Sequence, residues 1–201
     1  SLHNTVVDLH LVEGRLMKAG PKLPKGDATV VDLGGLHASP GWVDLRAHFR
    51  DPGEEYKEDL HSGLDAAAAG GFTAVAVLPG TKPPLDQGAS VEYLLRKGQG
   101  HAVRVLPLGA ITKGGKGEQL AEMHDMQQAG AVGFTDDLRP VPNTRLMLLA
   151  LQYAQNINGL VMAMPQDRDV IVEGQMHEGV TSTRLGLKGI PAMAEAVRLA
   201  R

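Results

Sequence analysis

Arg46, His48 and Arg50 stand two residues apart in the run Trp42-Val43-Asp44-Leu45-Arg46-Ala47-His48-Phe49-Arg50. On an extended strand, positions i, i+2 and i+4 share one face, so this spacing predicts three basic side chains pointing the same way. An imidazole can ligate a metal or carry a proton. A guanidinium can do neither, because it has no lone pair, but its planar fork of donors suits carboxylates and phosphates. The stretch Trp42–Leu45 is apolar and is entered through the turn Pro40-Gly41, which reads as a buried strand rather than a surface stripe. The basic residues would then lie at the mouth of whatever the strand builds. Plainer roles compete with these. His48 could be a hydrogen-bonded structural residue, Arg50 could pair with a nearby carboxylate, and Asp136-Asp137 could cap a turn.

Other chemistry-bearing stretches carry less. Gly114-Gly115-Lys116-Gly117 looks like a phosphate loop, but it lacks the G-x-x-x-x-G-K-[ST] spacing and the hydroxyl residue. His3, His10, His37, His61, His101, His124 and His177 are scattered without metal-ligand spacing.

The elements that must position these residues follow from the remaining sequence. The chain has 201 residues, 43% hydrophobic and 21% charged, with net charge -3, which suits a globular domain with a sizeable core and argues against nucleic acid as a main partner. No cysteine is present, so disulfides and thiolate metal sites are excluded, and a cytoplasmic location is expected. No apolar run approaches the ~18 residues of a membrane span, and no signal-peptide pattern opens the chain.

Residues 1–38 predict a small β unit, with strands over 6–12, 16–20 and 29–33, packed on the following domain or on further chain. From residue 39 strands and helices alternate. Strands are predicted over 42–45, 72–78, 103–108, 131–134 and 160–164, and helices over 56–69, 90–97, 118–129, 144–156 and 191–201. The strands are apolar throughout, the mark of a parallel sheet covered on both faces. This pattern predicts an α/β fold, either an open doubly wound sheet or a (β/α) barrel. Five such units fall short of the eight of a closed barrel, so the chain reads as part of a longer one.

Read in order, the C-terminal strand ends carry Arg46, His48 and Arg50; then Pro79-Gly80-Thr81-Lys82-Pro83; then residues 109–116; then Thr135-Asp136-Asp137; and finally Met164-Pro165-Gln166-Asp167. Together with Ser39-Pro40-Gly41-Trp42-Val43-Asp44, the run 51–59, Ala66–Thr73, Gly133–Asp137 and Ser182–Leu187, these residues resemble the dihydroorotases of the amidohydrolase superfamily, in their bacterial type I branch. The resemblance implies an incomplete β-sandwich attached to a (β/α)8 TIM-type barrel. Residues 1–38 would supply N-terminal sandwich strands, and residues 39–201 the first five βα units.

The resemblance also implies zinc, which lowers the pKa of bound water so that hydroxide attacks a cyclic amide near neutral pH. Its first-strand His-x-His is matched here by Arg46 and His48. Its fourth-strand carboxylate is matched by Asp137 in preference to Asp136. Its fifth-strand histidine is matched by Met164, whose thioether is a poor zinc ligand beside imidazole. Arg50 matches the arginine for the substrate carboxylate, and Gly80 stands where an asparagine helps to hold the substrate. The expectation is therefore a dihydroorotase-like protein of pyrimidine biosynthesis, without bound zinc or hydrolase activity, that oligomerises and serves as a structural partner of aspartate transcarbamoylase. The alternatives are an active cyclic amidohydrolase with an altered site, converting dihydroorotate to N-carbamoyl-aspartate, and a fragment without independent function.

Overall fold

The computed structural model describes residues 4–171 and 173–199. The chain divides into two compact units, one ending at Ser39 and the other beginning at Pro40.

The first unit is built on an antiparallel hairpin of β1 (Asp8–Val12) and β2 (Arg15–Gly20). Glu13 and Gly14 form its two-residue turn, both with positive φ, 49° and 73°. That is the backbone hand that matches the twist of the flanking strands. The strand predicted over 29–33 is not formed. Val30 and Val31 lie in irregular, exposed chain, because β-branched residues make a strand only where a neighbouring ladder takes up their N–H and C=O groups.

The second unit holds a four-stranded parallel sheet in the order β3 (Trp42–Ala47), β4 (Phe72–Val77), β5 (Arg104–Gly109), β6 (Gly133–Phe134). Between and after these strands run α1 (Leu60–Ala69), α2 (Gly88–Lys97), α3 (Met123–Gln128) and α4 (Thr144–Asn156). This is a partial TIM-type (β/α) barrel. Alternate residues of the strands enter separate clusters. Val75, Val77 and Val105 pack with Leu60 and Leu64 of α1 and Leu94 of α2, while Ala76, Leu78 and Leu108 pack with Leu106 and Met162. Leu60, Leu64 and Leu94 are fully buried, and each such burial stabilises the fold by roughly 2 kcal/mol. A third cluster under α3 and α4 centres on Phe134, Met123 and Met126.

Several boundaries differ from the predicted ones, each for a local reason. Helix α1 begins at Leu60 rather than residue 56, because Asp59 is its N-cap and accepts from the His61 and Ser62 N–H groups. The predicted helix over 118–129 shortens to α3, because Leu120 bridges Thr112 and Ala121 N–H donates to the Ile111 carbonyl at 2.9 Å. The strand predicted over 160–164 narrows to a parallel bridge between Val161 and Phe134, held by Phe134 N–H to Leu160 O and Met162 N–H to Phe134 O, both 2.8 Å. The last predicted helix is α7 (Met193–Leu199), and its expected end at 200–201 lies outside the described residues. Between the last two predicted elements the chain adds α5 (Arg168–Ile171) and a small β-α-β unit of β7 (Met176–His177), α6 (Val180–Leu185) and β8 (Gly189–Ile190). Runs of two paired residues leave too little periodicity to be read from sequence.

Among the described residues β3 pairs only with β4. Its register slips between Asp44 and Ala47, which oppose Val75 and Val77. Three steps on β3 thus face two on β4, and Leu45-Arg46 carry a bulge. The Asp44 carboxylate closes it by accepting the Arg46 N–H at 2.8 Å. No helix among the described residues is long and apolar enough to cross a membrane.

Candidate functional site

The C-terminal ends of the parallel strands bring four of the predicted positions together. His48 Nε2 lies 3.1 Å from Asp137 Oδ1, and Arg46 Nη2 lies 4.0 Å from the same oxygen. Gly80, in the loop after β4, lies against both: a Cβ built there would sit 2.7 Å from Asp137 Oδ2 and 3.6 Å from His48 Cε1. Asp137 Oδ1 is buried yet receives no hydrogen bond, so the approach of His48 Nε2 lacks hydrogen-bond alignment. Arg46 keeps about half its side chain in solvent.

The two adjacent aspartates are used quite differently. Asp136 is buried and accepts the Ile111 N–H at 2.8 Å, the Thr112 N–H at 2.9 Å and the Thr112 hydroxyl at 2.5 Å. Burial raises the pKa of its carboxyl above the usual range, against the downward pull of these donors. It ties the loop after β5 to the loop after β6. Asp137 turns the other way, with a backbone φ of 62° and its N–H donated to Thr135 Oγ1 at 3.1 Å.

Arg50 does not join Arg46 and His48. The strand ends at Ala47, and Arg50 adopts a left-handed φ of 59° that breaks the alternation. Its guanidinium instead approaches Glu54 at 3.5 Å. Glu54 is the centre of a second cluster that sequence spacing only half disclosed. Lys57 Nζ lies 2.8 Å and Lys82 Nζ 3.1 Å from Glu54 Oε1. Hydrogen bonds from Lys57 first, then Lys82, pull the Glu54 carboxyl down to about 2, and the same contact with Glu54 raises Lys57. Arg50 and Lys57 are four and three positions from Glu54, a visible local signal. Lys82 arrives from the loop after β4 and had no signal at all.

A third, unpredicted group anchors the loop after β3. The fully buried Asp51 accepts the Leu60 N–H at 3.1 Å, the Tyr93 hydroxyl at 3.1 Å and the Lys97 ammonium at 2.6 Å. The Asp51 contact is the main cause that raises Lys97 to about 12. Helices α1 and α2 therefore hold this loop from beneath.

Met164 lies three residues past the Val161 bridge, partly buried, and enters none of the polar contacts of the Arg46–His48–Asp137 group. The glycine-rich loop 114–117 directs its donors inward. Gly114 N–H goes to Asp86, Gly115 N–H to the Thr112 carbonyl, Lys116 N–H to the Lys113 carbonyl and Gly117 N–H to Thr112 Oγ1. No backbone donor of this loop is left for a phosphate.

The segments that build this mouth also match known proteins. Residues 36–201 match the family model described as dihydro-orotase-like. This chain belongs to the dihydroorotase-like family. It is 49% identical over 197 residues to a protein named dihydroorotase from Geotalea daltonii, covering 97% of this chain and 46% of that one. It is 47% identical to one from Pelotomaculum thermopropionicum over 96% of this chain and 45% of the relative. With one from Desulfotalea psychrophila the identity is 51%, over 85% of this chain and 40% of the relative. The chain thus spans about half the length, or less, of these dihydroorotases.

The donor set can be compared with what a zinc centre of this family needs. His48 offers an imidazole nitrogen and Asp137 a carboxylate with an orphaned oxygen, two ligands of suitable type. Arg46 offers no lone pair and sets a permanent positive charge beside that same oxygen. Among the described residues no group of three or more His, Asp or Glu side chains comes together to hold a metal ion.

Proposed function

We propose that this chain belongs to a dihydroorotase-family protein of pyrimidine biosynthesis that has given up zinc-dependent ring opening and serves as a structural partner of aspartate transcarbamoylase. The observation that carries this reading is the Arg46 guanidinium 4.0 Å from Asp137 Oδ1. The cation stands where the resemblance requires an imidazole. It supplies from the protein the positive charge that a metal would otherwise bring to the carboxylate, and a divalent ion beside it would be repelled. The remaining pair, His48 and Asp137, is too small a ligand set for a catalytic zinc pair, so no step through a metal-bound hydroxide is derived. Arg50, engaged with Glu54, is correspondingly less available to a substrate carboxylate.

The test is metal content and turnover of the full-length protein, purified without a tag. Plasma mass spectrometry is expected to find well below one zinc per chain, and an ultraviolet assay no loss of dihydroorotate. Stoichiometric zinc together with ring opening would overturn the reading. Co-purification with aspartate transcarbamoylase is the expected sign of the partnership, and its failure under mild conditions would remove that part alone.

One observation favours the second reading, an active cyclic amidohydrolase with an altered site. Asp137 Oδ1 is a buried lone-pair donor without a hydrogen bond, 3.1 Å from His48 Nε2, a spacing that a shared ion could exploit. That reading predicts metal-dependent turnover of dihydroorotate or a related cyclic amide by the unmodified protein.

A further inference from the structure

The glycine-rich segment 114–117 turns its donors inward, and that closure reaches the mouth. Strand β6 has only two residues, Gly133 and Phe134, paired with Leu108 and Gly109 of β5. So short a ladder does not by itself fix the course of the loop that follows. Other groups continue the attachment. Thr135 N–H donates to the Gly109 carbonyl at 2.9 Å. Asp136 Oδ1 then accepts two successive N–H groups of the loop after β5, those of Ile111 and Thr112. With residues 135 and 136 fixed in this way, Asp137 turns back at φ 62°, its N–H on Thr135 Oγ1. The direction in which its side chain leaves is therefore set by bonds to β5 and the loop after it.

Thr112 is the centre of these bonds. Its N–H and its hydroxyl both donate to Asp136, and the same hydroxyl accepts the Gly117 N–H at 2.9 Å. Gly117 in turn lies against the loop after β6. Its φ is 74°, and a Cβ on it would sit 2.5 Å from Pro142 Cδ, a ring atom with no free torsion to swing it aside. The loop after β5 thus braces the loop after β6 at two points, Asp136 and Pro142, one on each side of Asp137.

We propose that Thr112 and Gly117 are positioning residues for the mouth, acting through Asp136 and Pro142 to hold the Asp137 carboxylate beside His48 and Arg46. The glycine-rich segment is then a brace that aims a carboxylate on the next strand. The coupling runs through the main chain of residues 135–142, so a disturbance of residues 113–117 is felt at the mouth. It is independent of metal content, because it is read on chelator-treated protein.

The experiment follows the NMR resonance of the His48 Cε1–H in the full-length protein at one pH. Asp137→Asn marks the position that the resonance takes without the Asp137 charge. Thr112→Val keeps the volume and removes the hydroxyl. It is expected to move the resonance most of the way to the Asp137→Asn position, and to add no shift when Asp137 is already asparagine. Thr112→Ser should leave the resonance where the parent has it. Gly117→Ala keeps the N–H that Thr112 accepts and adds one methyl against Pro142, and should move the resonance in the same direction as Thr112→Val. A Thr112→Val protein that loses thermal stability while its His48 resonance stays at the parent position would overturn the proposal. So would a further shift in the Asp137→Asn background, or an Asp137→Asn protein whose His48 resonance does not move. If Thr112→Val does not fold, Gly117→Ala decides: movement toward the Asp137→Asn position supports the coupling, and the parent position refutes it.

Discussion

Asp136 and Asp137 are neighbours in the chain, yet they live in opposite regimes. Asp136 accepts three hydrogen bonds from Ile111 and Thr112 and sits wholly inside the protein. Asp137 keeps Oδ1 buried without any hydrogen bond and turns it toward two basic side chains, while Oδ2 lies against Gly80. A fully satisfied buried carboxyl is a joint, because its partners fix it and it has nothing left to offer a ligand. An unsatisfied oxygen beside partly exposed basic side chains still has a lone pair to offer. The same contrast separates Asp51, held by three donors beneath the loop after β3, from the half-exposed basic residues above it.

The largest effect should fall on the joint. Asp136→Ala leaves two buried backbone donors without partners and the Thr112 hydroxyl without its acceptor, and should cost about 3 kcal/mol, read from denaturant midpoints. Should it cost less than Asp137→Asn, the contrast between the two aspartates fails. Lys97→Met tests the Asp51 anchor. It strips the cation from a buried carboxyl and should cost roughly 2 kcal/mol, discounted because the lysine is partly exposed.

Two pH limbs sharpen the picture further. The Glu54 carboxyl is lowered from 4.5 to about 2 in the folded protein. Its contribution is therefore fully present above pH 4.5 and is lost as the pH falls toward 2. Glu54→Gln should flatten that acid limb in midpoints measured as a function of pH. Lys97, raised from 10.5 to about 12, has the opposite sign: its contribution is complete below pH 10.5 and disappears as the pH rises through 12. Lys97→Met should remove the alkaline limb.

The smallest stability change is expected at the mouth itself. Asp137→Asn removes a charge contact that is partly solvated and not aligned as a hydrogen bond, and should cost under ~1 kcal/mol. A larger loss would make Asp137 a second joint and would erase the distinction drawn from Asp136.

Much of this protein could be read from its residues. The apolar strands predicted over 72–78 and 103–108, the helix over 144–156 and the parallel α/β order follow from periodicity and turn signals, and the structure has them, the strands at Phe72–Val77 and Arg104–Gly109. The boundaries that moved did so where a side chain or a distant loop captured a backbone group. Asp59 reset the start of α1. The bridge from Thr112 to Leu120 consumed the front of the helix expected from 118. The face shared by Arg46, His48 and Arg50 was legible only in part, because a bulge and a left-handed Arg50 broke the two-residue period.

Lone pairs belong to residue types, so the sequence alone determined that positions 46 and 164 carry a guanidinium and a thioether where the family resemblance expects imidazoles. It also determined that position 80 has no side chain. Only the tertiary structure decided that Asp137 comes within reach of Arg46 and His48, that Lys82 joins Glu54, and that the loop carrying Gly80 lies against the Asp137 carboxylate. These are contacts between loops tens of residues apart. Their distances are set by how the parallel strands are registered and how their ends turn, which no local pattern encodes.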